Sequence, residues 1–190
     1  MRNKTYLASI KKRALTYSEK RREVIKEAGD ALHLSKRAIF AMHRDDMKEA
    51  KQKLAGAEKI LKQMARTFSK TPGLLLEGSH RDSLEEYVEA SLLYSFLKTK
   101  KFPEIKAVSI PPEVYVAGLC DVPGELHRYA VKAATERDHK TVNLCKEAAQ
   151  EIVGVLIEFN LTRYLRNKFD QAKQAARKIE HVVYELSLRD

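Results

Sequence analysis

The chain has 190 residues, of which 44% are hydrophobic and 33% are charged, enough for one domain, 1–190, with a sizeable core. Only 7 glycines and 5 prolines occur, which favours an all-α protein over a sheet protein. The formal net charge of +10 favours nucleic acid, although a solvated lysine-rich surface would give the same excess. The apolar runs are too short to span a bilayer and no secretory segment is visible, so we expect a cytoplasmic protein with no membrane partner.

Hydrophobic residues recur at helical spacing along most of the chain. The third helix is apolar or small nearly all round, which indicates a central, buried position. Asp45 and Asp138 are predicted to cap the second and fifth helices, and residues 71–73 and 77–79 lie in the connection before the third. The spacing predicts a bundle of six long helices at about 3–43, 46–69, 80–99, 113–136, 139–160 and 162–188.

Two pairs of carboxylates mark the third and fourth predicted helices. Glu86 and Glu89 are three residues apart and Asp121 and Glu125 are four apart, spacings that place both members of a pair on one helix face. Glu89 lies among apolar residues, where a carboxylate is costly unless it is paired, hydrogen-bonded or metal-bound. If the two helices pack side by side, the pairs merge into one four-carboxylate cluster.

Such a cluster has the ligand chemistry that Mg²⁺ or Mn²⁺ prefers. Two bound metals can activate a water and stabilise the leaving oxygen of a phosphodiester. Gly118 and Gly124 lack side chains, so another helix can approach there. Arg128 falls on the face of Glu125 and can hold a phosphate, as can Arg81. The remaining candidate nucleic-acid ligands are basic residues on the polar side of the first helix: Lys11, Lys12 and Arg13.

Several alternatives stay open from spacing alone. The carboxylates can be a solvated helix face, or ion-pair partners of basic residues elsewhere. Two Glu-x-x-His patterns, Glu77 to His80 and Glu136 to His139, are typical of di-iron bundles, but both fall at predicted helix ends. Cys120 and Cys145 lack metal-type spacing, which predicts reduced thiols.

Three segments resemble, in order, motifs of one family. Residues 118–128 (GLCDVPGELHR) resemble the G-x-x-D-L-T-G-E-L-x-R segment of translin-associated factor X, and residues 84–90 (LEEYVEA) resemble its L-Q-E-[FY]-V-E-A segment. Residues 178–189 (KIEHVVYELSLR) resemble its C-terminal K-V-E-x-V-x-Y-x-L-x-[IV]-R segment. One departure is Pro123, which stands where the family has threonine. It removes one backbone hydrogen bond of the helix and is expected to kink the helix between Asp121 and Glu125.

The resemblance implies a translin-like all-α fold and a prokaryotic, archaeal, member of the factor X branch. Glu86, Glu89, Asp121 and Glu125 fall on the acidic positions of that branch, which supplies the metal site of a ribonuclease complex. The expected activity is therefore Mg²⁺-dependent endoribonuclease cleavage of single-stranded RNA, with Mn²⁺ able to substitute. The alternative is a translin-type protein that binds single-stranded DNA or RNA without cutting it. A purely structural helical protein leaves the charge excess and the three motifs unexplained.

The resemblance also implies a hollow assembly with the acidic sites inside. Because the chain is short and self-contained, we expect a homo-oligomer, an octamer, instead of the mixed octamer of eukaryotic relatives. Tyr184, Leu186 and Leu188 near the end of the last predicted helix suggest an interface.

Overall fold

The computed structural model describes residues 3–188, and that range holds six α-helices, one short 3₁₀-helix and no strand. The predicted all-α class is confirmed. Arg189, the last residue of the C-terminal motif, lies outside the described residues. The helices are α1 (Lys4–His43), α2 (Met47–Thr67), α3 (Gly78–Thr99), α4 (Pro112–Thr135), α5 (His139–Ile157) and α6 (Arg163–Ser187), and the 3₁₀-helix is Pro72–Leu76.

Helices α3 and α4 lie at the centre of the packing. α1 packs on α2 and α3, while α4 packs on α5 and α6, and the contact between α3 and α4 joins these two groups. A single cluster of buried apolar side chains draws residues from all six helices. The predicted central position of α3 is confirmed, because its apolar residues are buried on several faces.

The amino-terminal half of α1 extends away from this core. Residues 3–23 are all exposed, and Val24 is the first buried residue of the helix. Tyr6, Leu7 and Leu15 recur at helical spacing, yet each is exposed over half or more of its surface. The 40 residues of α1 span about 60 Å, so this half presents a long face that is both basic and apolar.

Three local predictions are wrong. Asp46 rather than Asp45 caps α2, since its carboxylate accepts the backbone N–H of Glu49 at 2.8 Å, whereas Asp45 is left-handed with φ of 63°. α3 begins at Gly78, two residues earlier than expected. The fifth helix was predicted to reach residue 160, but α5 ends at Ile157, and Phe159 beyond it is exposed.

Two other expectations hold. Asp138 caps α5 by accepting the backbone N–H of Thr141 at 3.0 Å. Cys120 and Cys145 are buried free thiols, and burial raises the pKa of both to about 12, so neither is a nucleophile at neutral pH. Within residues 3–188, every helix is too short or too polar to cross a bilayer.

Candidate active site

Gly118 brings α3 and α4 into direct contact. A Cβ added there would lie 2.6 Å from the backbone oxygen of Glu85 and 2.8 Å from the Cβ of Val88. Asp121 follows Gly118 by less than one turn, so this contact places α4 carboxylates against those of α3. Around Gly124 nothing lies within 4 Å of an added Cβ, and the expectation that it also admits a helix is wrong.

The structure brings the four predicted carboxylates into one region between α3 and α4. Burial raises the pKa of Glu89 well above its ordinary value, and the charges of Asp121, Glu86 and Glu125 raise it further. Burial and the charges of Asp121 and Glu125 also raise the pKa of Glu86, although Lys36 opposes them. α4 continues through Pro123, so its two carboxylates both reach this region.

Glu89 is the most confined of the four. Its exposed fraction is 8%. Within residues 3–188 its carboxylate has no hydrogen-bond or ion-pair partner. A buried carboxylate without compensation is costly in its ionised form. Glu89 therefore requires either a proton or a cation.

Lys168 of α6 partly compensates Asp121, because burial still raises the pKa of Asp121 above its ordinary value although the ammonium lowers it. Its ammonium donates to the Asp121 carboxylate and to Oε1 of Glu85, and Tyr164 also donates to that Glu85 oxygen, at 2.8 Å. Burial alone would lower the pKa of Lys168, but the two carboxylates outweigh it and raise the pKa above its ordinary value. Lys168 is consequently a permanent cation.

Glu125 is compensated from two directions. His43 at the end of α1 contacts Oε2 of Glu125 through Nε2, and Arg128 donates to the same oxygen at 3.0 Å. Burial would raise the pKa of Glu125, but the His43 contact and the Arg128 charge outweigh it and lower the pKa. Glu86 has a looser partner, the Lys36 ammonium at 3.7 Å.

The donor types suit a divalent cation, whereas the side-chain positions do not yet form a cage for one. Carboxylate oxygens are hard ligands, and buried, unpaired Glu89 is a suitable anchor. However, no three ligand-type side chains in the described range 3–188 are arranged to hold a metal ion. Asp121 instead contacts Lys168, and Glu125 contacts His43 and Arg128. These three side chains would have to move before all four carboxylates could bind one ion.

The predicted basic residues fall into two places. Arg128 lies at the carboxylates, and Arg81 lies near them, since its guanidinium is 5.6 Å from the centre of the Tyr164 ring. Lys12 lies in the extended half of α1, about 45 Å along the helix from His43, and its neighbours Lys11 and Arg13 are equally distant. One chain therefore does not bring these three residues to the carboxylates.

The exposed basic residues of α1 border a cleft of about 650 Å³. Lys12, Arg13 and Lys20 line it together with Tyr17, and Thr71 closes its other side. Positive side chains beside an aromatic ring are typical of a surface that binds nucleic acid.

The first Glu-x-x-His pattern is not a metal site in this structure. Glu77 pairs with Arg21 at 2.7 Å. His80 donates through Nδ1 to the backbone oxygen of Leu75 at 3.0 Å, and burial lowers its pKa. His80 is therefore a neutral, hydrogen-bonded core histidine.

Sequence reasoning missed Lys168, His43, Tyr164 and Glu85. Glu85 precedes Glu89 by four residues on a helix that was expected to be buried, so its helical phase was a usable signal. No comparable signal identifies Lys168 or His43. They reach the site only through the packing of α6 and α1.

A comparison with protein families identifies the family of the chain. The profile described as Translin family matches residues 19–190. The chain belongs to the Translin family. This result confirms the family that the three motifs indicated, and the assignment to the factor X branch stays a prediction.

Solved structures agree with this Translin family membership at the level of the fold. AfC3PO superposes with a TM-score of 0.89 at 24% identity, covering 97% of this chain and 98% of that one. The crystal structure of apo-NeC3PO gives 0.86 at 23%, covering 98% of both chains. An AfC3PO complex with duplex RNA gives 0.85 at 23%, covering 97% and 98%. No curated protein is significantly similar in sequence.

Replacing Gly118 with alanine is expected to push α3 and α4 apart. The added methyl meets backbone and a β-branched side chain, so the free energy of unfolding should fall by about 1–3 kcal/mol. Gly124→Ala is the matched control on the same helix, and should leave stability unchanged or raise it by up to about 1 kcal/mol. Urea unfolding followed by circular dichroism measures both. Equal stabilities for the two variants would contradict the close contact.

Glu89→Gln is expected to stabilise the metal-free protein above neutral pH. Because the pKa of Glu89 is raised in the folded state, the folded chain loses stability from this group as pH rises through that value. In chelator the variant should be more stable than the wild type at the alkaline end of a pH series, and this gain should shrink as the pH falls through the raised pKa and Glu89 takes up its proton. Exposed Glu113→Gln is the control. A gain that does not depend on pH would show that Glu89 is not a buried ionised group.

Proposed function

We propose that this protein binds RNA and hydrolyses it in a Mg²⁺-dependent reaction at the α3–α4 carboxylates. The observation that carries the proposal is Glu89, which is buried, unpaired and surrounded by Glu86, Asp121 and Glu125. Perturbed carboxylates that share one confined region are frequent at catalytic sites. The AfC3PO complex with duplex RNA supports nucleic-acid binding as the class of function. A cytoplasmic location remains part of this proposal.

Glu86, Glu89, Asp121 and Glu125 would hold the metal, and one of them can instead orient the attacking water. Bound Mg²⁺, or Mn²⁺ in its place, supplies a water of lowered pKa and stabilises charge on the phosphodiester. Arg128 is half exposed at the edge of the carboxylates, so it can leave Glu125 and hold a phosphate. Arg81 can do the same beside Tyr164.

The alternative is a translin-type protein that binds single-stranded nucleic acid without cutting it. The observation in its favour is that Asp121, Glu125 and Glu86 each have a cationic neighbour. In that case these carboxylates are structural ion-pair partners. Titration with Mn²⁺ separates the two functions, because the alternative predicts no binding.

Cleavage of single-stranded RNA should stop in chelator and in the variants Glu89→Gln and Asp121→Asn. Loss of a metal ligand is expected to lower the cleavage rate by about 100-fold or more, while circular dichroism and RNA binding stay unchanged. Glu113→Gln, an exposed acid on α4, should cut at the wild-type rate.

The products of the same reaction test the nucleophile. Since water attacks, a 2′-deoxy sugar at the scissile position should not block cleavage, and the products should lack 2′,3′-cyclic phosphate. Full activity in either carboxylate variant, with contaminating nuclease excluded, would remove the enzymatic proposal.

The amino half of α1 is proposed to hold the RNA backbone. Replacing Lys11, Lys12 and Arg13 together with glutamine should weaken RNA binding and reduce the slope of log affinity against log salt by about 2. The matched triple, Lys48, Lys51 and Lys59 to glutamine, removes the same charge from the exposed face of α2. Titrations of single-stranded RNA, duplex RNA and single-stranded DNA measure both triples and the strand preference. Equal slopes would remove α1 from the RNA-binding surface.

We further propose that the chain forms a homo-oligomer, with an octamer as the expected state. Exposed Tyr184 and Leu188 at the end of α6 and the unpacked half of α1 support it, since single chains seldom leave so much apolar surface in water. Light scattering should give a mass several times the 21.8 kDa of the chain, and Tyr184→Glu should lower it. A monomeric wild type would contradict the proposal.

A further inference from the structure

Lys168 occupies a place that the proposed metal site needs. Its ammonium contacts Asp121 on one side and Glu85 on the other. Only 15% of the side chain is exposed. Arg128 and Lys36, the cations nearest Glu125 and Glu86, are exposed over more than half of their side chains and can turn into water. Lys168 has no such exit, so it needs another acceptor inside the protein if it leaves Asp121.

Glu85 offers that acceptor. Its Oε1 already takes the hydrogen bonds of Lys168 and Tyr164. Its Oε2 is buried and has no hydrogen-bond partner, and the whole residue is only 7% exposed. A buried carboxylate oxygen without a partner is costly. The Lys168 ammonium, which already donates to the other oxygen of Glu85, has further N–H groups that could satisfy it.

We propose that Lys168 is a displaceable counter-cation, which holds Asp121 while the site is free of metal and moves wholly onto Glu85 when a divalent cation binds Asp121. The inference rests on the proposed metal site and adds its regulation. Lys168 and the metal compete for one carboxylate, so Lys168 lowers metal affinity. Glu85 reduces that competition because it receives the displaced ammonium. Both are positioning residues and neither touches the substrate.

Two variants of the Glu85–Lys168 pair, one single and one double, should change metal affinity in opposite directions. Glu85→Gln removes the charged acceptor, so Lys168 stays on Asp121 and the Kd for Mn²⁺ should rise about tenfold. The double variant Glu85→Gln, Lys168→Met removes the competitor as well, and its Kd should fall about tenfold below that of the wild type. A merely structural role for the pair would shift both variants in the same direction.

Isothermal titration of the full-length chain with Mn²⁺ alone measures these constants. The matched control is the double variant Asp170→Asn, Lys173→Met, which removes another α6 ion pair with N–O distance 2.7 Å and should leave Kd within about twofold. Lys168→Arg keeps a permanent positive charge beside Asp121, so its Kd should not fall below that of the wild type. Thermal melting in chelator checks that each variant is folded, and Glu85→Gln with Lys168→Arg still tests the idea if the double variant does not fold.

The outcomes separate this inference from the proposed function. Opposite shifts for the single and double variants support it, as does binding by the double variant when the wild type binds no metal. Binding by the wild type with unchanged constants in both variants overturns Lys168 displacement and leaves the metal site standing. No binding by any chain overturns the metal site and the displacement together.

Discussion

The contact between α3 and α4 at Gly118 determines the rest of the site. Because this glycine has no side chain, the backbone of α3 lies against α4, and the acidic residues of both helices share one confined space. Like charges in such a space raise each other's pKa, as Glu89 shows most strongly. The basic side chains around the cluster reduce the electrostatic repulsion between its carboxylates. They come from α1, α4 and α6, so the charge balance also ties three helices to the centre.

The carboxylates at the site outnumber the basic side chains around them, although the whole chain has a net charge of +10. Counting Glu85 with the four predicted carboxylates, five acids face three permanent cations, Lys36, Arg128 and Lys168, and one histidine. The site is therefore rich in acidic side chains, whereas the chain as a whole is basic. A positive exterior attracts polyanions, but under the proposed function a phosphate that enters the site would meet carboxylates there. A divalent cation reverses this local sign, so metal binding and productive RNA placement are expected to be coupled.

Hydrophobic periodicity was enough to predict the six helices, because most of them bury one face that repeats at helical spacing. Spacing also grouped Glu86 with Glu89 and Asp121 with Glu125. It did not predict which of two adjacent aspartates caps α2, since the left-handed backbone at Asp45 follows from the turn. Nor could it identify Lys168 or His43. A lysine on an amphipathic helix normally lies in solvent, and only the packing of α6 against α4 brings Lys168 inside.

The metal-free arrangement is compatible with both proposed functions. The two functions do not explain its buried, unpaired carboxylate groups equally well. A structural ion-pair network gains stability only when every buried charge is satisfied. Here Glu89 has no partner in the described chain, and Oε2 of Glu85 is buried without one. If the cluster were purely structural, replacing either carboxylate by an amide or an apolar group would raise the free energy of unfolding. The proposed cation site would explain both unpaired groups, because they would be satisfied if an ion bound Glu89 and Asp121 and displaced Lys168 onto Glu85.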